Sequence, residues 1–437
     1  MRIAIIGTGI SGLGAAWALR HHAQITLFEA GAHFGGHTNT VDVTLPGEPP
    51  FAVDTGFLVL NERTYPTLQA LFAELHVPLA TSDMSFSVQA PLGGGNTLEW
   101  CGSNLDSVFA QRRNLGKRAF WRMLRDILRF NREATALARL PDAELDDSQT
   151  VGDYLHRNGY GDTFLHWYLL PMTACIWSCP PGQMLDFPLA TLVRFCHNHG
   201  LLQVHNRPQW FTVRGGARQY VQKIVAHFPD ARLHTPVQRV TRHDSGVELH
   251  TAGGAIWFDQ VIFACHSDQA LAMLDAPSDT ERDVLGAIRY QSNRALLHTD
   301  TRLLPQARKA WAAWNYESAP LADTSTAVQP NVCLHYLLNK LQPLPTERPI
   351  VVSLNPLREP AAHTVLREIS YAHPIFDQAA IAAQQRVPEL QGTQRSYFCG
   401  AWCGYGFHED GLKSGYAAAQ ALLCDVDDLP VRAAIAA

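Results

Sequence analysis

Short apolar runs at both ends of the chain alternate with stretches that have helical spacing. Residues 2–6 (RIAII) are continuous and β-branched, which predicts a buried parallel strand, and residues 24–28 (QITLF) predict another. Residues 13–20 lie between them and have the composition of a helix. Near the other end, residues 396–402 predict a strand and residues 410–423 predict a helix. Both ends therefore have the β–α order of an α/β fold.

The middle of the chain has a different pattern. Residues 236–242, 246–251 and 255–266 predict three successive strands. The stretch 252–254 (AGG) predicts a hairpin turn between the last two of these strands. We therefore expect a small antiparallel unit in this part of the chain.

Length and composition limit the class of protein. The chain has 437 residues, more than one ordinary core accommodates, so we expect two domains. Its formal net charge of -5 gives no reason to expect nucleic acid as a partner. The nine irregularly spaced cysteines are typical of a reduced, intracellular protein. No uninterrupted apolar run reaches the roughly 20 residues that a membrane span needs.

A glycine motif, G-x-G-x-x-G, follows the first predicted strand and opens the first predicted helix. Gly7 allows a tight turn, Gly9 lets a pyrophosphate approach the backbone, and Gly12 lets the helix pack on the strand. The helix start offers free N–H groups to the phosphates, and Glu29 at the end of the second strand is placed to bind ribose hydroxyls. The alternative is a glycine-rich turn in an ordinary α/β unit. The residues assigned to the nucleotide are Gly7, Gly9, Ile10, Ser11, Gly12 and Glu29.

A second glycine pair favours FAD over NAD. Gly35 and Gly36 would let another chain segment pass close to the pyrophosphate, where a side chain would clash. A flavoprotein that also holds its own NAD(P)H commonly has a second G-x-G-x-x-G after a strand, and none is present here, so we expect no separate NAD(P)H site. We therefore expect electrons to pass between a flavin and a substrate, oxygen or a partner protein.

These motifs resemble the FAD fingerprint of the flavin amine oxidase and phytoene desaturase superfamily. Within it, the chain is similar to a bacterial group of NAD(P)/FAD-dependent oxidoreductases whose genes often lie beside cyclopropane-fatty-acid-synthase-like methyltransferases. The stretches that carry the resemblance are 51–66 (FAVDTGFLVLNERTYP), 82–88 (SDMSFSV), 176–180 (IWSCP), 198–202 (NHGLL), 207–221 (RPQWFTVRGGARQYV), 338–344 (LNKLQPL) and 398–412 (FCGAWCGYGFHEDGL).

The resemblance implies a Rossmann-like FAD-binding domain of the amine oxidase type, with an inserted α+β substrate or cap domain. The FAD-binding domain would be discontinuous and consist of residues 1–80, 208–275 and 388–437. Residues 81–207 and 276–387 would form the cap over the flavin.

The resemblance also implies further cofactor contacts. The backbone of Val237 would hold the adenine, and Gly400 would admit the ribityl–phosphate region. The helix that begins at Asp410 would direct its N-terminus at the pyrimidine edge of the flavin, where reduction leaves negative charge. The remaining residues assigned to the cofactor are Gly35, Gly36, His37, Thr55, Gly56, Phe57, Gly411 and Leu412. Two positions differ from the family pattern, because His37 replaces an arginine and Ala401 replaces an acidic residue.

Candidate catalytic residues lie beside the predicted flavin ring. His408 and Tyr405 are assigned to catalysis, and the alternative is that they only shape the loop. Trp402 and Phe407, together with Trp177, are assigned to a wall of the substrate channel, and the alternative is ordinary packing between domains.

Two cysteine-containing stretches have an alternative interpretation that we do not favour. Cys196, His197 and His199 are close in sequence, but a strand would direct them to opposite faces, so we expect no metal site. Cys399 and Cys403 match no familiar attachment sequence, so we expect the FAD to be non-covalent.

The segment 117–133 (KRAFWRMLRDILRFNRE) predicts a basic amphipathic helix. Its arginines recur at helical spacing on one face, and Phe120, Leu124, Ile127 and Leu128 are assigned to the other. Such a helix can lie on an anionic membrane surface. The alternative is a cap-domain helix with a solvated basic face.

The sequence therefore predicts a cytoplasmic FAD-dependent oxidoreductase, with peripheral contact at the inner face of the membrane left open. The expected reaction is desaturation of a fatty-acyl or phospholipid chain by hydride transfer to flavin N5. The alternatives are a redox-neutral double-bond isomerase, an amine oxidase, and a non-catalytic flavoprotein partner of a lipid methyltransferase.

Overall fold

Strands from the ends and the middle of the chain form one parallel sheet in the computed structural model, which describes residues 1–141, 148–177, 181–318 and 332–427. In spatial order the strands are β10 (Ala231–Arg232), β2 (Gln24–Phe28), β1 (Arg2–Ile6), β14 (Gln260–Phe263) and β20 (Ser396–Phe398). Neighbouring strands are parallel throughout. The apolar runs suit this position because both faces of the sheet are covered. The two strands predicted near the N-terminus are confirmed.

Helices cover one face of this sheet. They are α1 (Ile10–Leu19), α2 (Pro66–Glu74), α9 (Arg218–Val225) and α14 (His408–Asp427). Helix α1 begins three residues before the predicted start, and α14 begins two residues before Asp410. The two helices cross closely, since a Cβ built on Gly415 would lie 2.1 Å from the carbonyl oxygen of Ser11. The glycines of the C-terminal helix therefore let it pack against the helix of the N-terminal motif.

A three-stranded antiparallel unit and three helices cover the other face. They are β11 (Val237–His243), β12 (Gly246–Thr251), β13 (Gly254–Phe258), α10 (Ser267–Met273), α11 (Asp279–Gly286) and α13 (Gln378–Arg386). The single strand predicted over 255–266 is wrong, because the chain changes sheet at Asp259. Strand β13 is largely exposed, whereas the four residues of β14 are all buried in the parallel sheet.

A second, mixed sheet has seven strands. In spatial order they are β19 (Val365–Ile375), β15 (Arg289–His298), β18 (Val351–Leu354), β17 (Cys333–Leu337), β16 (Trp314–Glu317), β7 (Phe86–Gly93) and β8 (Asn96–Cys101). The pair β16–β7 is parallel and the others are antiparallel.

Helices pack their apolar faces on this second sheet. They are α3 (Leu105–Val108), α4 (Arg118–Ala138), α5 (Val151–Arg157), α6 (Asp162–Phe164), α7 (Leu170–Trp177), α8 (Leu189–Asn198) and α12 (Leu338–Leu341). A π-helical turn, Leu165–Leu169, joins α6 to α7. The strand expected around Cys196 is wrong, because this residue lies on α8 with its side chain in the core. A stripe of apolar residues at helical spacing explains that difference.

Short strands join the two regions and bring residues 54–58 past the cavity described below. They are β3 (Thr40–Val43), β4 (Phe51–Asp54), β5 (Leu60–Asn61), β6 (Leu79–Ser82) and β9 (Trp210–Val213). None of the helices in the described part of the chain has the length and hydropathy to span a bilayer. The domain boundaries expected from the sequence stay a prediction.

Candidate active site

The glycine turn after β1 has the geometry that the motif requires. Gly7 has a φ of +98°, and a Cβ there would lie 2.7 Å from the carbonyl oxygen of Ala264. A Cβ on Gly12 would lie 2.1 Å from the carbonyl oxygen of Gly7. In contrast, a Cβ on Gly9 would meet no protein atom within 4 Å, so packing does not explain that glycine. A nucleotide pyrophosphate that passes the backbone at the start of α1 does explain it.

Glu29 and the second glycine pair complete this end of the site. One Glu29 carboxylate oxygen accepts a hydrogen bond from the backbone N–H of Gly31 at 2.8 Å. The backbone of Gly36 passes close to Gly9, as a Cβ on Gly36 would lie 3.1 Å from the Gly9 Cα. His37 lies partly buried beside them, and its buried Nε2 atom has no hydrogen-bond partner among the described residues. An orphaned imidazole nitrogen at this place suits a phosphate ligand.

Most of the residues assigned to the cofactor line one cavity of about 470 Å³. Those that line it are Gly7, Gly9, Ile10, Ser11, Glu29, Gly35, Gly36, His37, Thr55, Gly56, Phe57 and Gly400. Gly12, Val237, Gly411 and Leu412 do not line it. Leu412 is fully buried, and a Cβ on Gly14 would lie 2.6 Å from its Cδ1, so its side chain packs between α1 and α14.

The start of α14 is fixed by two carboxylates. Asp410 accepts hydrogen bonds from the backbone N–H groups of Tyr405 and Phe407, at 3.1 and 3.0 Å, so it holds the loop before the helix. Burial raises the pKa of Asp410 to about 6. Glu409 is buried and accepts from the backbone N–H groups of Thr67 and Leu68, so it caps the first turn of α2. Helix α14 is thereby tied to the loop that precedes it and to the start of α2.

The two candidate catalytic residues have different surroundings. His408 lines the cavity, but its Nε2 lies 2.9 Å from Thr38 Oγ1 and its ring stacks on Phe57 with a centroid separation of 3.8 Å. Burial lowers the pKa of His408 to about 3, so the imidazole is neutral and bound into the scaffold. Tyr405 lines the cavity with 37% of its surface exposed.

The half of the cavity beyond the glycines is apolar. The three residues assigned to the substrate wall all line the cavity, and Phe407 stacks on Phe195 with a centroid separation of 5.3 Å. Trp402 lies nearer the glycine turn, because its Nε1 donates to the carbonyl oxygen of Cys265 at 3.1 Å. Further lining residues of the apolar half are Met84, Phe86, Met172, Ile176, Leu201, Trp210, Val352 and Leu354. Glu29 is the single acidic or basic residue (Asp, Glu, Lys or Arg) among the described lining residues, and it lies at the nucleotide end. Ser178–Pro180 of the IWSCP stretch lie outside the described residues.

Three histidines meet between the two halves of the cavity. The centroid of the His37 ring lies 5.4 Å from that of His373 and 6.5 Å from that of His266. Burial lowers the pKa of all three. Of these three histidines, the sequence indicated only His37 as a site residue, because His266 and His373 come from distant segments and belong to no motif.

His199 is a further functional candidate, which the sequence indicated only as part of a metal cluster that we did not favour. Its Nδ1 lies 2.9 Å from the carbonyl oxygen of Phe195 and donates to it, so the lone pair is on Nε2. The residue lines the apolar half of the cavity, and burial lowers its pKa to about 4.

Cys196, His197 and His199 are not brought together as metal ligands in the described part of the chain. The group of potential ligands that does come together is Glu317, Cys333 and His335, whose ligand atoms lie within 4.8 Å of one another. Glu317 is paired with His335 at 3.0 Å and with Arg358 at 2.9 Å. The Arg358 guanidinium already compensates the carboxylate and would repel a metal ion, so we assign no metal here.

Comparison with known proteins agrees with this geometry. The family described as flavin containing amine oxidoreductase matches residues 10–337. No curated protein sequence matches the chain. Among solved structures, cyclohexylamine oxidase from Brevibacterium oxydans IH-35A is 18% identical with a TM-score of 0.66, over 98% of this chain and 99% of that one. A "CLA-producing fatty acid isomerase" from P. acnes is 14% identical with a TM-score of 0.64, over 96% and 98%. Putrescine oxidase bound to putrescine is 15% identical with a TM-score of 0.64, over 97% and 99%.

The parallel sheet, the glycine turn and the adjoining cavity define a Rossmann-like flavoprotein. Since the family match spans most of the sequence, the chain belongs to the flavin-containing amine oxidoreductase family. It is an FAD-dependent oxidoreductase with an amine-oxidase-type fold. Gly9, Glu29 and His37 fit the cofactor, because they leave room for its pyrophosphate and present partners for its ribose and phosphates.

Proposed function

We propose that the protein desaturates a fatty-acyl or phospholipid chain. The observation that supports this most directly is the apolar half of the cavity, in which the described lining residues present no Asp, Glu, Lys or Arg. A substrate amine that is protonated at neutral pH would lack a carboxylate partner there, and a free carboxylate would lack a cation. A hydrocarbon chain needs neither, and its burial against aromatic and aliphatic side chains is favourable.

Bound FAD supplies the acceptor for the hydride that leaves one substrate carbon, and oxygen or a partner protein takes the electrons onward. The neighbouring carbon loses a proton, so the product gains one C=C bond. We assign that proton to Nε2 of His199, the nitrogen with the free lone pair. The stacked Phe407 and Phe195 rings exclude water and align the chain.

The test is product analysis by mass spectrometry after the purified flavoprotein has been incubated with phospholipids and free fatty acids of defined acyl chains. The expected product is lighter than its substrate by two hydrogens. Turnover of small amines, with every acyl lipid unchanged, would contradict the proposal.

The second candidate is a redox-neutral isomerase, favoured by the fold shared with a fatty acid isomerase. An isomerase would return the hydride and move the double bond, so the product would have the mass of the substrate. It would form without oxygen in many turnovers per flavin, whereas a desaturase stops after one turnover when no acceptor is present.

The remaining candidate is a non-catalytic flavoprotein that docks on a lipid methyltransferase. Phe407→Ala would leave such a role intact, because the ring lines the cavity and not the outer surface. Loss of lipid product in this variant, with flavin still bound, would argue against pure docking. The flavin itself is expected to be non-covalent, so that heat or acid denaturation releases it into the supernatant.

A further inference from the structure

Exposed apolar side chains concentrate in one segment of the chain. Ten large hydrophobic residues are exposed among the described residues, and half of them fall between positions 105 and 140. These five are Leu105, Leu115, Trp121, Leu128 and Leu140. Single exposed apolar residues are normal on protein surfaces, but a group of them marks an interaction site.

Helix α4 presents a stripe on its outer side. Trp121, Arg125, Leu128 and Arg132 are spaced by four, three and four residues, which places them on one helical face. Trp121 is 50% exposed and Leu128 is 60% exposed, while the side chains of Arg125 and Arg132 are 74% and 79% exposed. The expectation that Leu128 lies on the face opposite the arginines is therefore wrong. We call this stripe, together with Leu115, Arg118 and Arg122, the α4 face.

The Trp121 ring is held in its exposed position. Its Nε1 donates to the carbonyl oxygen of Leu115 at 2.9 Å, and its ring centroid lies 5.3 Å from that of Phe109. This hydrogen bond places Leu115, which is 50% exposed, next to the Trp121 ring. An ordered tryptophan with one apolar side outward is typical of membrane interfaces.

The α4 face is cationic although the chain is acidic overall. Residues 105–140 contain nine arginines and lysines against three acidic residues, while the whole chain has a net charge of -5. Two of the acidic side chains pair with arginines of the helix, since Asp126 lies 3.5 Å from Arg125 and Glu133 lies 3.0 Å from Arg129 and 3.9 Å from Arg132. Asp126 is 2% exposed, and Glu133 accepts hydrogen bonds from the hydroxyl groups of Tyr154 and Tyr160. The outer side of α4 therefore carries mainly positive charge.

The inner side of α4 connects this face to the substrate cavity. Phe120, Met123 and Phe130 are fully buried in the same core as Met172 and Phe195, which line the cavity. Helix α4 packs against α8, whose Phe195 lines the cavity, so the α4 face and the apolar half of the site are built on neighbouring helices.

We propose that the α4 face docks on the surface of an anionic phospholipid bilayer. Its arginines match the negative lipid headgroups, and Leu115, Trp121 and Leu128 can insert at the boundary of the acyl region. A second copy of this chain is a poorer occupant, because two-fold association would bring like charges together. This docking proposal is independent of the proposed reaction, because binding to the bilayer surface does not require that any particular acyl chain be oxidised.

The experiment is vesicle flotation of the full-length flavoprotein with phosphatidylcholine vesicles that contain or lack phosphatidylglycerol. We expect flotation only with the anionic vesicles, and weaker binding as salt rises. Arg122→Glu/Arg125→Glu should weaken binding by about 30-fold or more. Trp121→Ser/Leu128→Ser should weaken it by roughly 10-fold.

Matched controls carry the same changes elsewhere on the surface. Arg239→Glu/Arg282→Glu alters the net charge equally, at side chains that are 53% and 54% exposed. Trp257→Ser/Leu357→Ser removes two other exposed apolar side chains. Both controls should bind vesicles as the wild type does.

Three results would overturn the proposal. The first is that the wild type binds neither kind of vesicle, and the second is that the controls lose as much binding as the α4 variants. The third is a dimer in solution that Trp121→Ser/Leu128→Ser disperses, because the face would then belong to a second copy. Flotation measures binding even when the acyl chains of the vesicle do not reduce the flavin. Absence of vesicle binding can therefore be distinguished from absence of lipid desaturation.

Discussion

Gly9 is the residue at which the cofactor assignment can be tested with little risk to the fold. Its φ of -62° is ordinary, and a Cβ there would touch no protein atom within 4 Å. We therefore expect Gly9→Ala to keep the thermal stability of the protein without FAD while FAD affinity falls by roughly 10-fold or more, because the methyl group enters the space for the pyrophosphate. The measurement is a fluorescence titration of the apoprotein with FAD.

Gly12→Ala is the matched comparison for Gly9→Ala. A Cβ on Gly12 would lie 2.1 Å from the carbonyl oxygen of Gly7, so this change should destabilise the fold itself. Wild-type FAD affinity in Gly9→Ala would contradict the placement of the pyrophosphate.

His199 is the residue on which the proton assignment depends. We expect His199→Gln to lower the rate of anaerobic flavin reduction by a lipid substrate about 100-fold with FAD affinity unchanged, since the general base is lost. Stopped-flow absorbance measures that rate.

The pH dependence of the same rate gives a second check. His199 has a pKa of about 4 and must be deprotonated to act, so the rate should fall as pH falls through about 4 and stay flat from roughly pH 6 to 8. A reduction rate in His199→Gln equal to that of the wild type would remove the residue from the mechanism.

At the level of elements, one buried carboxylate joins α14 to α2. Glu409→Ala should leave the N–H groups of Thr67 and Leu68 without their acceptor and cost about 1–3 kcal/mol. Hydrogen exchange at these two amides should become faster, and the thermal midpoint should fall. Glu389→Ala is the control, because its side chain is 51% exposed. Unchanged exchange at Thr67 and Leu68 would show that the cap carries no stability.

The elements that the sequence predicted well are those with local patterns. Strand β1, the glycine turn and strand β2 follow one another within 28 residues, and each has its own spacing or apolar run. The break at Asp259 was not predictable in this way, because a single residue separates β13 from β14 and the two together have the composition of one longer strand.

The histidine cluster shows the same limit in the site. His266 and His373 reach His37 only through the parallel sheet and strand β19, and nothing local to either residue indicates that meeting. The apolar half of the cavity is assembled from α7, α8 and strands of the seven-stranded sheet. Tertiary packing brings these distant segments together, and no periodic pattern in the sequence predicts which of them will meet.

On the scale of the whole molecule, one cavity runs from the nucleotide turn to an apolar chamber lined by α7, α8 and strands of the seven-stranded sheet. Glu29 and the glycine turn lie at one end, and Phe407 and Phe195 lie in the other half. Helix α4, which carries the α4 face on its outer side, packs against α8. The two proposals, an acyl-chain substrate and docking of the α4 face on a membrane, would together bring the substrate and the enzyme to the same surface.

The central claim is that a flavin in this cavity oxidises an acyl chain. The most direct measurement is the visible spectrum of the purified protein without oxygen, before and after addition of phospholipids with defined acyl chains. We expect an oxidised flavin spectrum that is bleached by one class of lipid. A protein purified without flavin, or a flavin that amines bleach and no lipid does, would contradict the account.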